Sequence, residues 1–135
     1  MKIFLSYKFR GVDKKKLRKK LELAASVLEK QGHQTFVHFR DGRNWSEDEG
    51  YPLHRALTRT FKAIQGSDLI LALVDNQAKS IGMTLELGFA KALGKKIILL
   101  ASRKCPHPTL EAIASQVIPF GPPQDLPKKL SQLNF

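Results

Sequence analysis

Hydrophobic positions along the chain follow two rhythms: short continuous apolar runs, and longer stretches in which apolar residues recur three and four apart. Ile3–Tyr7 reads as a first strand and Lys8–Val12 as the loop behind it. Asp13, a residue type whose carboxylate accepts from the free amides of a helix start, opens a helix with the apolar stripe Leu17, Leu21, Ala24 and Leu28, ending at Gly32. Thr35–Phe39 predicts a second strand, and Arg40 to about Gly50 is polar and irregular. Leu53, Leu57 and Ile64 carry helical spacing up to Gly66. Asp68–Val74 is a buried third strand, Met83–Leu93 a helix closed by Gly94, and Lys96–Ala101 a fourth strand. Val117–Phe120 supplies a fifth strand, with Leu126, Leu130 and Leu133 marking a terminal helix.

Strands alternating with helices imply right-handed crossovers. The expected architecture is an α/β three-layer sandwich with a central parallel five-stranded sheet, flavodoxin- or Rossmann-like, in a single domain over residues 1–135. Ligands of such sheets bind beyond the carboxyl ends of the strands, where the strand order reverses. Three loops meet there: Lys8–Val12, Arg40–Trp45 and Asp75–Gly82.

A chain of 135 residues with 42% hydrophobic content is long enough for one core. Its longest apolar runs, Leu69–Val74 and Ile97–Ala101, fall far short of the roughly 20 residues a membrane helix needs. The start Met1–Leu5 has no signal-peptide layout, so the expected setting is cytoplasmic, with no membrane partner. The one cysteine, Cys105, has no metal-ligand spacing around it, and neither His38 nor His54 has a partner at such spacing; no metal or other cofactor is expected.

A net charge of +11 suits an anionic partner. Much of it lies in Lys14, Lys15, Lys16, Arg18, Lys19 and Lys20, which on a helix form a solvated face opposite the apolar stripe. The charge does not choose among nucleic acid, a nucleotide and an acidic surface. Without interleaved aromatics the lysine face reads as a solubilising surface in preference to a nucleic-acid footprint.

Glu86 is the most unusual residue, because the helix around it is otherwise apolar: Met83, Leu85, Leu87, Phe89 and Ala90. It lies in the first turns, where aligned amide dipoles favour negative charge, and Gly82 and Gly88 leave room for a ligand. A poorly solvated carboxylate there suits a nucleophile. The same helix is apolar on more faces than one sheet can cover, which predicts a homo-oligomer.

The run Ser80–Ala90, followed by Gly94–Ile98, resembles the signature of the nucleoside 2-deoxyribosyltransferase and 2'-deoxynucleoside 5'-phosphate N-hydrolase superfamily, and Ile3–Gly11 with Asp13 and Gly66–Asp68 are similar to it as well. The resemblance implies a nucleotide or nucleoside partner and retaining cleavage of its N-glycosidic bond. The motif glutamate, here Glu86, attacks the anomeric carbon, and water or another base resolves the glycosyl ester. It implies a substrate site formed by Ser6, Phe9, Arg10, Gly11, Asp75, Ser80 and Gly82. Transferases of the family tend to carry aspartate where this chain has Ser80, and the nucleotide hydrolases a serine that meets a 5'-phosphate. Arg10 and Gly11 match the loop beside that phosphate.

For Ser80 the alternative is a helix-capping hydroxyl, and for Arg10 a solvated loop cation. Trp45 either stacks on a base or packs on the sheet edge. The chain departs from the family at Thr60, where an aspartate usually assists the leaving base; Asp75 is the nearest substitute, with a turn role as its alternative. A shorter similarity, to bacterial TIR-like domains, also passes through Glu86 and implies NAD cleavage or signalling assembly.

Overall fold

A computed structural model describes residues 1–135. Five strands, β1 (Lys2–Ser6), β2 (Gln34–Phe36), β3 (Leu69–Val74), β4 (Lys96–Ser102) and β5 (Gln116–Phe120), form one sheet in the order β2-β1-β3-β4-β5, every neighbouring pair parallel. The helices are α1 (Lys14–Lys30), α2 (Leu53–Gln65), α3 (Ile81–Ala92), α4 (Pro108–Ile113) and α5 (Leu126–Ser131). This is the expected three-layer sandwich, and its order reverses between β1 and β3.

Side chains of each strand alternate between two cores. Ile3, Leu5, Leu69, Leu71, Leu73, Ile98 and Leu100 face α1 and α5, whereas Phe4, Ile70, Ala72, Val74, Ile97 and Leu99 face α2, α3 and α4. All six residues of β3 are buried, because a central parallel strand is covered on both faces. Ser6 continues the period of Phe4 and therefore points to the α3 side, paired in register with Ala72. At this level both residues are small, which leaves space beneath α3.

The helix starts follow local chemistry. Asp13 Oδ1 accepts from the Lys16 amide at 3.0 Å, as expected of its residue type, and Gly32 takes φ +91° just past the end of α1. Helix α4 is not predicted by the sequence pattern; at six residues it is too short to display a period, and Pro108 at its first position is its one local signal.

The second strand is shorter than expected. It stops at Phe36, and His38–Gly42 winds into a π-helical turn. Two side chains override the β propensity of Val37 and Phe39: the Asp41 carboxylate accepts from the Val37 amide at 2.8 Å, and the Tyr7 hydroxyl accepts from the Phe39 amide at 2.7 Å. Gly42 is required because a Cβ there would lie 2.4 Å from the His38 ring. Asn44 and Trp45 follow with φ 50° and 62°, two successive left-handed non-glycine residues.

Candidate active site

Helix α3 lays Met83, Leu87 and Ala90 on the sheet. An amphipathic stripe built on 83, 87 and 90 also includes position 86, so Glu86 occupies a slot where this stripe calls for an apolar residue. The residue is half-buried, and its carboxyl reaches the sheet end, where Ser6 donates its hydroxyl to Oε1 at 2.7 Å. Ser6 is fully buried. Burial raises the Glu86 pKa from the usual carboxylate range to about 7, and the Ser6 hydrogen bond, which favours the charged form, works against that rise. The carboxyl thus stands at the strand-order reversal, poised between its two protonation states near neutral pH.

Ser80 caps α3: its Oγ accepts from the Met83 amide at 3.1 Å. The capping role uses a lone pair and leaves the hydroxyl proton available to a ligand, so capping and ligand binding are compatible. Glu86 lies six residues on, about 9 Å along the helix axis. Gly82 and Gly88 are exposed, and a Cβ at Gly88 would meet nothing within 4 Å, so the helix surface beside Glu86 is open.

The loop after β1 is held by Lys14, whose Nζ donates to the carbonyls of Phe9 and Val12 at 2.7 and 3.2 Å. Gly11 turns there at φ +72°, and Arg10 is exposed with no carboxylate partner. The Phe9 ring is engaged edge-on by Phe39 at 5.2 Å, with Lys14 and Arg43 4.4 and 4.3 Å from its centre. Trp45 packs edge-on against Phe39 at 5.0 Å under the Arg18 guanidinium, which describes sheet-edge packing.

Two residues that the sequence pattern does not single out join the site. Tyr7 is pushed above the usual phenol range chiefly by burial, with the Glu86 charge adding to the rise and Arg43 opposing it, so its hydroxyl lies within electrostatic reach of both. Arg43 is held below the usual guanidinium range, first by partial burial, and the charge of Arg10 contributes in the same direction. Arg43 Nη1 donates to the Asp48 carbonyl at 2.7 Å and its guanidinium lies over the Phe9 and Tyr51 rings at 4.3 and 4.8 Å; neither Arg10 nor Arg43 is in an ion pair. The sequence places the loop Arg40–Trp45 at this end of the sheet but does not single out Arg43 within it, because the side chain's position over Phe9 and Tyr51 depends on the π turn.

Thr60 is buried in α2 and donates to the Leu57 carbonyl at 3.0 Å, so its hydroxyl is already engaged in the helix. Asp75 accepts from Lys20 Nζ and lines a different cleft, between α1 and the loops behind β3, β4 and β5, which does not include Glu86, Ser6 or Ser80. No group of three or more His, Cys, Asp or Glu side chains is placed to hold a metal ion, and no helix is long and apolar enough to cross a membrane.

The all-parallel five-stranded sheet with helices on both faces defines a Rossmann-like α/β domain. The chain matches the nucleoside 2-deoxyribosyltransferase family over residues 6–126 and belongs to that family. Among solved structures it is similar to a CMP N-glycosidase from Clostridium botulinum, BcmB, with TM-score 0.69 and 23% identity over 96% of this chain and 97% of that one. It is also similar to a 2-deoxyribosyltransferase from Bacillus psychrosaccharolyticus, with TM-score 0.73 and 19% identity over 100% and 93% of the two chains. A conserved protein from Enterococcus faecalis V583 shares the fold at TM-score 0.67 and 14% identity over 98% of each chain. No functionally curated protein matches the sequence.

Proposed function

We propose that the protein cleaves the N-glycosidic bond of a nucleoside 5'-monophosphate, with Glu86 as nucleophile. The observation that carries this reading is the desolvated Glu86 carboxyl on the Ser6 hydroxyl, 2.7 Å apart at the end of β1. In the ionised state one carboxylate oxygen bonds to the anomeric carbon, the bond to the base nitrogen breaks, and its electron pair leaves with the base. Water or a second base then displaces the carboxylate from the sugar. With Thr60 buried and Asp75 bound to Lys20, neither position supplies an acid to the leaving base, which takes its proton from solvent. Slow turnover follows.

Phosphate preference rests on Arg10, Arg43, the Gly11 amide and the available proton of Ser80, each charge-assisted bond contributing about 1.5–3 kcal/mol. Support for self-association comes from Leu53 and Ile81, 57% and 82% exposed at the starts of α2 and α3, with Leu85 beside them. Both helices start at the carboxyl end of the sheet, so a second copy packed there covers the mouth of the site. A light-scattering mass of one 15.2 kDa chain at micromolar concentration counts against that assembly.

The discriminating experiment is a mass-spectrometric screen for released base from nucleoside 5'-monophosphates, free nucleosides and NAD. Release from a monophosphate is expected; release from NAD alone favours the TIR-like reading, and release from nucleosides alone removes the phosphate assignment.

A further inference from the structure

A cleft of about 1190 Å³ opens apart from Glu86, Ser6 and Ser80 and contains Asp75. Its wall on one side is α1, which contributes Lys16, Lys19 and Lys20, three positions that helical spacing places on one face. The loops behind β1 and β4 add Lys8, Arg103 and Lys104. Against these six cations stand three carboxylates: Asp75, bound to Lys20, Asp13, which caps α1, and Asp125, whose Oδ2 borders Gly121 on the wall as Arg103 Nη1 does. Lys8, Lys16, Lys19, Arg103 and Lys104 are in no ion pair. The floor is apolar, made by buried Leu17, Phe120 and Leu126.

From this arrangement we infer a second ligand site, separate from Glu86, that takes a nucleoside triphosphate or a small molecule of the same chemistry: a chain of several phosphates on a flat apolar body. Five unpaired cations around one hollow repel each other, and a polyanion laid between the α1 face and the β4 loop relieves that repulsion. A single phosphate brings at most about two negative charges against these five cations. The apolar floor adds what an inorganic polyphosphate lacks, and the volume exceeds the roughly 300–1,000 Å³ of ordinary small-ligand sites. The segment from Asp75 to Ser80 runs from this cleft to the cap of the helix that bears Glu86, so the two sites share a loop.

Cys105, the one cysteine of the chain, lines this cleft and is 6% exposed, so its alkylation reads opening of the cleft wall, which a bound ligand suppresses. Its alkylation by iodoacetamide is followed at physiological ionic strength with ATP, AMP, inorganic tripolyphosphate or a single-stranded oligonucleotide, in the Glu86→Gln protein so that no ligand is consumed. Calorimetric titration of the same ligands gives affinities independently of thiol reactivity. ATP is expected to bind at least about tenfold more tightly than tripolyphosphate and, at about ten times its Kd, to slow alkylation about tenfold. AMP, held at the Glu86 site, leaves alkylation unchanged. Adding the exposed-residue changes Lys19→Glu/Arg103→Glu is expected to lose the protection and at least about tenfold in ATP affinity, while the same two changes made with Glu86 intact leave base release unchanged. The proposal is overturned by equal protection from AMP, by ATP binding that this variant does not weaken, or by an oligonucleotide that protects at lower concentration than ATP. Base release is read separately, so loss of the Glu86 assignment leaves this test intact.

Discussion

The hydroxyl of Ser6, the last residue of β1, donates to Glu86 Oε1 across 2.7 Å, although 80 residues separate the two in sequence. It is the one hydrogen bond that favours the charged carboxylate against the burial that disfavours it.

Removing it should move the pH profile of base release. Ionised Glu86 attacks, so activity in the wild type rises with pH and reaches half its plateau at about 7. Ser6→Ala takes away the lowering influence and moves that midpoint upward. If the midpoint rises by about one pH unit, activity well below it should fall about tenfold, while the alkaline plateau changes little. A uniform loss at every pH, with the midpoint unmoved, would give Ser6 a purely structural role.

Stability should respond to Glu86 in the opposite sense. Its folded pKa lies above the unfolded value, so the group's stabilising contribution is fully present below about 4.5 and is lost as pH rises through about 7. Glu86→Gln has no such slope. At pH about 8 the variant should be more stable than wild type by about 1–3 kcal/mol, and the gap should close towards pH about 4. Denaturant melts at the two pH values check this; a variant less stable at both would contradict it.

Ser80 separates capping from recognition. Aspartate caps as well as serine, so Ser80→Asp should keep stability within about 0.5 kcal/mol, whereas Ser80→Ala should cost about 1 kcal/mol. The aspartate sets a carboxylate against a ligand phosphate and should weaken a monophosphate at least about tenfold relative to its nucleoside. Calorimetry on a matched pair decides; an unchanged ratio would make Ser80 a cap alone.

The π turn gives a packing test. Gly42→Ala drives a methyl into the His38 ring and should cost about 1–3 kcal/mol. In the His38→Ala background the same change should cost much less. Equal costs in both backgrounds would show that the ring is not what excludes a side chain at 42.

Much of this organisation was legible in the residues. Asp13, Gly32, Gly66 and Gly94 punctuate helices by local chemistry, and the apolar runs of β3 and β4 reflect burial on both faces. Glu86 stood out because one carboxylate interrupted an apolar stripe. The turn at His38–Gly42 did not, since Val37 and Phe39 favour extended backbone until Tyr7, far along the chain, accepts from the Phe39 amide. Arg43 was hidden for the same reason: its nearness to Arg10 and Tyr7 exists only once that turn has formed. Asp75 was placed at the correct end of the sheet, but only the packing of α1 reveals Lys20 as its partner.

The central claim is that Glu86 forms a covalent bond to the sugar. Acid-quenched reactions with 2'-deoxynucleoside 5'-monophosphates, digested and analysed by mass spectrometry, test it most directly. The account predicts a deoxyribose-phosphate adduct on the peptide that contains Glu86 in the wild type, and neither adduct nor base release in a folded Glu86→Gln protein. Base release that persists in Glu86→Gln without an adduct would contradict it.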